Sequence, residues 1–167
     1  MGISRAKRIT FKFFSLFSAV RGYNILVLIC AQYLAAIFIF SPTRSLKEVL
    51  FDLHLFFVIL ATVFVIAGGY IINNFYDVKV DKINRPVKAG LDNYIKQATK
   101  LRLYFLLNFI GFCLGFLIST RAAFFFAVYI FSIWFYSHKL KKYPFIGVLS
   151  ATILTILPFF AIFVYFR

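Results

Sequence analysis

The sequence predicts an all-α protein, a polytopic transmembrane helix bundle of about five spans. Three observations carry that expectation. Hydrophobic residues make up 63% of the 167 and charged residues 14%, and a water-soluble chain this short has too much exterior to hide so much apolar surface. The apolar residues fall into five stretches, each near the roughly 20 residues that an α-helix needs to cross hydrocarbon. The basic residues, which give a formal net charge of +14, gather in short clusters between those stretches. That spacing suits lipid headgroups rather than nucleic acid, so the expected partner is the bilayer and no nucleic acid.

The elements follow in order along what reads as a single transmembrane domain, 1–167. Residues 1–20 mix Arg5, Lys7, Arg8 and Lys12 with Ile9, Phe11, Phe13, Phe14, Leu16 and Phe17. Such a basic, Phe-rich segment reads either as a helix lying in the headgroup plane or as a tail. It lacks the compact apolar core and small-residue cleavage site of a removable signal peptide. Spans are expected at about 23–40, 53–72, 103–118, 122–136 and 145–166. Only Ser119, Thr120 and Arg121 separate the third from the fourth. A helical hairpin is expected there, because one long helix would bury Arg121 at mid-membrane. Cys30 and Cys113 both fall within apolar runs and read as buried thiols, not as a disulfide or metal site.

Orientation follows from counting. With the N-terminus inside, the cytoplasmic side receives Arg5, Lys7, Arg8, Lys12 and Arg21, then Lys79, Lys82, Arg85, Lys88, Lys96, Lys100 and Arg102, then Lys139, Lys141 and Lys142. These are fifteen of the nineteen basic residues; Arg44, Lys47, Arg121 and Arg167 fall outside. The positive-inside rule therefore predicts a multi-pass protein of the cell membrane with a cytoplasmic N-terminus.

The longest polar connection, a cytoplasmic loop over 73–100, begins Asn73-Asn74-Phe75-Tyr76-Asp77-Val78-Lys79-Val80-Asp81. It holds two of the chain's five carboxylates within its first turns. If the second span continues as a helix, Asn73, Asp77 and Asp81 share one face at i, i+4 and i+8. Gly68 and Gly69, one turn earlier, permit close packing. Hard oxygen ligands so arranged suit Mg²⁺, which takes one or two carboxylates and completes its shell with phosphate. Lys79, Lys82, Arg85 and Lys88 would then neutralise the phosphate charge. The alternative is plain ion pairing between those lysines and the two aspartates on a solvated helix end.

The pattern Asn73-Asn74-x-x-Asp77-x-x-x-Asp81, followed by Lys-Ile-Asn-Arg-Pro, resembles the first Asp-rich motif of the UbiA superfamily of membrane prenyltransferases. Its usual form there is Asn-Asp-x-x-Asp-x-x-x-Asp. Arg21-Gly22-Tyr23-Asn24 is similar to the family's Arg-Pro-x-Asn, and Tyr136-Ser137-His138-Lys139-Leu140-Lys141 to its Tyr-Ser-x-Lys-Leu-Lys. The resemblance implies a UbiA-like bundle around a cavity open to the cytoplasm. It implies a Mg²⁺-dependent enzyme moving a prenyl group from a polyprenyl diphosphate to a lipid-soluble acceptor. By position, Asn73, Asp77 and Asp81 would hold the metal, with both aspartates central to catalysis. Arg85, Lys139 and Lys141 would meet diphosphate, and Arg21 and Asn24 would line the cavity.

Departures accompany the resemblance. Asn74 stands where the family has Asp, removing one negative ligand, and Gly22, Lys88 and Val148 replace the usual Pro, Arg and Asn. Members of the family are about twice as long, with a second Asp-rich motif in the further half. After Asp92 this sequence has no acidic residue. The chain alone is therefore expected to be weak or inactive, a truncated product or one half of an enzyme completed by a second polypeptide. The alternative reading is a non-catalytic membrane scaffold or partner subunit derived from the same fold. A transporter or channel is disfavoured, because the spans carry almost no ionisable residues.

Overall fold

The computed structural model describes Thr10 and residues 14–86, 89–90 and 95–166. Most of the segment expected at the interface, with Lys88 and Asp92, lies outside the described residues. Among the described residues these α-helices follow one another: α1 Gly22–Ala35, α2 Leu46–Leu50, α3 Leu53–Asn84, α4 Gln97–Ile118, α5 Thr120–His138 and α6 Pro144–Phe166. A π-helical turn, Ala36–Phe40, extends α1, and a 3₁₀ turn, Leu140–Lys142, joins α5 to α6. Five of these helices are long and apolar enough to cross a bilayer. The protein is a multi-pass, all-helical membrane protein.

Helix α3 is the axis of the bundle. In its most apolar window 61% of residues are buried, against 17–22% in each of the other spans. Leu55, Val58, Ile59, Ala61 and Val65 of α3 pack with Phe126 and Tyr129 of α5 and Ala161 and Ile162 of α6. Because lipid tails are as apolar as leucine, close packing and polar contacts have to hold such helices together. Gly111 of α4 supplies the first, since a Cβ there would stand 2.8 Å from Val65 and 3.2 Å from the Ala61 carbonyl oxygen. Only a residue without a side chain lets α4 and α3 approach so nearly.

Polar contacts supply the rest. Gln32, wholly buried on α1, donates from Nε2 to the Pro158 carbonyl of α6 at 2.9 Å and reaches Thr62 Oγ1 of α3 at 3.4 Å. Pro158 lies inside α6 and has no N–H for the carbonyl of Leu154 one turn back. The Tyr129 hydroxyl of α5 donates to that carbonyl at 3.2 Å. Four spans are thus fastened near mid-depth through one proline.

At the end of α3 nearer the N-terminus, Asp52 caps the helix, accepting from the amides of His54 and Leu55 at 3.1 Å each. It also accepts from Tyr165 Oη at 2.7 Å and from Arg44 at 3.1 Å. Burial alone would raise the Asp52 carboxyl, but the bonds from Tyr165, Leu55 and Arg44 outweigh it and hold the group below its ordinary value.

The structure corrects the expected loop over 73–100. Its first twelve residues are the last turns of α3, which runs unbroken to Asn84, and Gln97 already begins α4. Neither Gly nor Pro interrupts the run from Tyr70 to Asn84. The helix stops at Arg85 because Pro86 disfavours helical geometry in the residue before it, and Arg85 takes φ −142° and ψ 63°. Between α4 and α5 the chain reverses at a single extended residue, Ser119, whose Oγ accepts from the Ala122 amide at 3.1 Å. Arg121 thereby sits in the first turn of α5 at the bundle's end.

Two outcomes follow. Gly111→Val should lower the Tm of the detergent-solubilised protein by several degrees, an overpacking cost of about 1–3 kcal/mol. A carboxyl held below its unfolded value stabilises above roughly pH 4, and the contribution fades as pH falls through the folded value. A series of melts between neutral and acidic pH should therefore show an acid limb that Asp52→Asn flattens.

Candidate functional site

The last turns of α3 rise beside the 3₁₀ turn between α5 and α6. Asn73 and Asp77, one helical turn apart, present oxygens to the same point. Lys141 occupies that point: its Nζ donates to Asp77 Oδ1 at 2.5 Å and to Asn73 Oδ1 at 3.1 Å. Tyr76, the residue before Asp77, places its ring centroid 5.9 Å from the ammonium. The Lys141 and Asp77 side chains keep 17% and 27% of their surface exposed, so the pair is partly shielded from water and stronger than a surface ion pair. The turn carrying Lys141 is set close on α6. A Cβ on Gly147 would lie 3.2 Å from Lys141 Cα and 3.3 Å from the Leu140 carbonyl oxygen.

Beneath this cluster lies a cavity of about 510 Å³ between α1, α3, α5 and α6. Val27, Leu28, Ile66, Leu154 and Phe159 give it apolar walls, and Arg21, Asn24, Tyr70, Asn73, Tyr136 and Ser137 give it polar ones. Asn73 belongs to both cavity and cation cluster. Arg21 precedes α1 in the left-handed conformation, φ 51° and ψ 54°, alone among the described non-glycine residues in having positive φ. Its guanidinium stands 5.1 Å from the Tyr70 ring centroid. The Ser137 hydroxyl is buried and has no hydrogen-bond partner among the described residues.

The structure separates Asp81 from the expected face. Eight residues at 3.6 per turn carry it about 80° around the helix from Asn73, but seven bring it within about 20° of Asn74. Asp81 accordingly lines a small cleft with Asn74, Gln97 and Lys100 toward α4. Asn74 is buried there and accepts from Lys100 Nζ at 2.8 Å. The Asn74 departure therefore lies at the α3–α4 interface and takes no ligand from the Asn73–Asp77 pair. Arg21 and Asn24 line the cavity, and Lys141 reaches the aspartate motif itself. Arg85 and Lys139 are exposed at the ends of α3 and α5.

Lys100, 2% exposed, and the rings of Tyr70 and Tyr76 were not singled out in the sequence. Lys100 stands with Arg102 ahead of the apolar run of α4, and nothing in that spacing marks it as buried. The tyrosines were lost among a total of 10 tyrosines and 25 phenylalanines.

Two oxygens converging on one ammonium also suit a hard divalent cation, which binds through one or two such donors and fills its shell from water or phosphate. Among the described residues no cluster of three or more His, Cys, Asp or Glu side chains could hold a metal ion. Residues 31–167 match the UbiA prenyltransferase family. The chain belongs to that family. UbiA prenyltransferases generally use Mg²⁺, in keeping with the donor pair.

Relatives and a solved structure agree with this membership. A digeranylgeranylglyceryl phosphate synthase from Methanobrevibacter smithii is 31% identical over 81% of this chain and 47% of its own length. One from Thermococcus gammatolerans is 35% identical over 53% of the chain and 32% of its own. The chain thus spans between about a third and a half of the curated relatives it matches. A solved structure of digeranylgeranylglyceryl phosphate synthase superposes over 92% of this chain and 53% of its own, with a TM-score of 0.79 at 22% identity, which shows that this UbiA chain has that fold.

Because Gly147 fits its neighbours so closely, Gly147→Val should push the 3₁₀ turn off α6. The expected result is a lower Tm together with faster amine labelling of Lys141 than in the parent protein, read by mass spectrometry.

Proposed function

We propose that this chain forms the donor side of a membrane prenyltransferase that moves a prenyl group from a polyprenyl diphosphate to a lipid-soluble acceptor. The observation that carries the reading is Asn73, which ties an apolar cavity of about 510 Å³ to the oxygen pair on α3. A lipid diphosphate needs such a junction, with charge at one end and apolar walls at the other. The relatives' name favours a glycerol phosphate lipid as acceptor. The lysine clusters on this side of the bundle support a cytoplasmic location for the aspartate motif.

In this reading Asn73 and Asp77 hold Mg²⁺, and Asp81 one turn on adds negative charge to its surroundings. Bound there, Mg²⁺ would offset the charge of the diphosphate and make it a better leaving group. Arg21, Arg85, Lys139 and Lys141 donate to phosphate oxygens, bonds that strengthen as negative charge collects on the departing diphosphate. Asn24 helps orient the donor beside Arg21. Val27, Leu28, Ile66 and Phe159 enclose the prenyl chain and exclude water. When the C–O bond to diphosphate breaks, its electron pair leaves with the phosphate, and the electron-poor allylic carbon faces the rings of Tyr70, Tyr129 and Tyr136, which stabilise positive charge.

The cavity opens past exposed Val27 and Phe159. We assign closure of that flank to a further polypeptide segment supplying additional acidic ligands. Reconstituted by itself with Mg²⁺ and labelled donor, the chain should turn over slowly at best, and robust turnover would dismiss the idea of closure. Binding isolates the site itself. A non-hydrolysable prenyl thiolodiphosphate should bind the purified chain saturably with Mg²⁺, and Asp77→Asn should weaken it by roughly tenfold or more. Unchanged affinity in that variant would remove Asp77 from the site and favour the scaffold reading.

A further inference from the structure

We infer that Lys141 is a tethered competitor for the cation position, so that a divalent ion binds Asn73 and Asp77 only by expelling the Lys141 ammonium. The inference rests on reading that oxygen pair as the cation site.

Three observations lead to it. First, the ammonium takes both oxygens at once, at 2.5 and 3.1 Å, and the Tyr76 ring flanks it at 5.9 Å. A second positive ion bound to the same oxygens would lie within a few ångströms of it, where repulsion is severe away from bulk water. Only one cation fits. Second, the backbone that carries Lys141 is fixed. The Lys142 amide donates to Lys139 O at 3.2 Å, Tyr143 to Leu140 O at 3.1 Å, and Gly147 to Tyr143 O at 2.7 Å. Gly147 closes the turn against α6 with no room for a side chain. Exchange is therefore a swing of the lysine arm about its own four carbons while the turn stays in place. Third, the neighbouring cations do not share the position: Lys139 and Lys142, on either side, are exposed, and no ion pair joins them to Asp77 among the described residues.

The consequence is a coupling between the two ligands. The protein binds a divalent ion less tightly than its donors allow, because the competent state is the minor one with the lysine displaced. Once displaced, the ammonium is free to meet an anion. Diphosphate arriving with its metal gives it a new partner and relieves the competition.

Mn²⁺ binding followed by electron paramagnetic resonance tests this on the full chain in detergent. Lys141→Met should bind Mn²⁺ about tenfold more tightly than the parent, the reciprocal of a competent fraction near one tenth. Lys142→Met, which removes the same charge one residue along the turn, should change affinity by less than about twofold. Adding Asp77→Asn to Lys141→Met should abolish the gain. In the unmodified protein, Mg²⁺ should speed amine labelling of Lys141 relative to Lys142, a readout that needs no substitution to fold. Equal Mn²⁺ affinity in the parent and Lys141→Met, or labelling indifferent to Mg²⁺, overturns the competition alone. Failure of Mn²⁺ to bind either protein overturns both this inference and the cation site beneath it.

Discussion

Hydrocarbon offers no hydrogen-bond partner, so a backbone polar group left open inside the bilayer is costly unless the protein itself meets it. That demand organises the bundle around Pro158. Its ring leaves the Leu154 carbonyl without a helical donor, and Tyr129 of α5 provides one. Its own carbonyl accepts from Gln32 of α1, whose amide also reaches Thr62 of α3. Bonds of this kind contribute only about 0.6 kcal/mol each on average in membranes. Their value is directional, because they fix which faces of four helices meet. The cavity lies among the same four helices, so its walls inherit the register set at Pro158.

The charged cluster is built differently. Helix α3 does not stop where its apolar run ends but continues through Asn84, lifting Asn73 and Asp77 clear of the bundle's core on a rigid rod. Side chains placed on a regular helix are held more accurately than side chains on a loop. The opposing face is a three-residue 3₁₀ turn pressed on Gly147. Rod and turn meet through Lys141.

Much of this was legible in the sequence. The five spans could be read from apolar run length, and the hairpin at Ser119 from the cost of burying Arg121. What was misread has a common origin in helical geometry. An i, i+4, i+8 series was taken as one stack, but each step of four drifts about 40°, and by the second step Asp81 has passed to the side of Asn74 and Lys100. The same drift hid the meaning of Asn74, whose amide answers a buried lysine at the α3–α4 interface. The end of α3 was drawn too early because charge was read as loop. Polar composition says where a helix leaves the membrane, and only Pro86 says where it ends. Contacts between Lys141 and Asp77, 64 residues apart, depend on how α5 returns alongside α3 and could not be read from spacing.

The corner at Arg21 has a consequence for how this chain tolerates change. An L-residue held at positive φ costs roughly 1–2 kcal/mol, and glycine would remove that strain. Glycine would also delete the guanidinium that lies over Tyr70 at the cavity's rim. At the next position a Cβ on Gly22 would meet the ring of Phe17, so a side chain there requires that exposed ring to move. Relief of backbone strain and retention of a charged rim therefore pull against each other at Arg21, where the sharp corner and the cation come together.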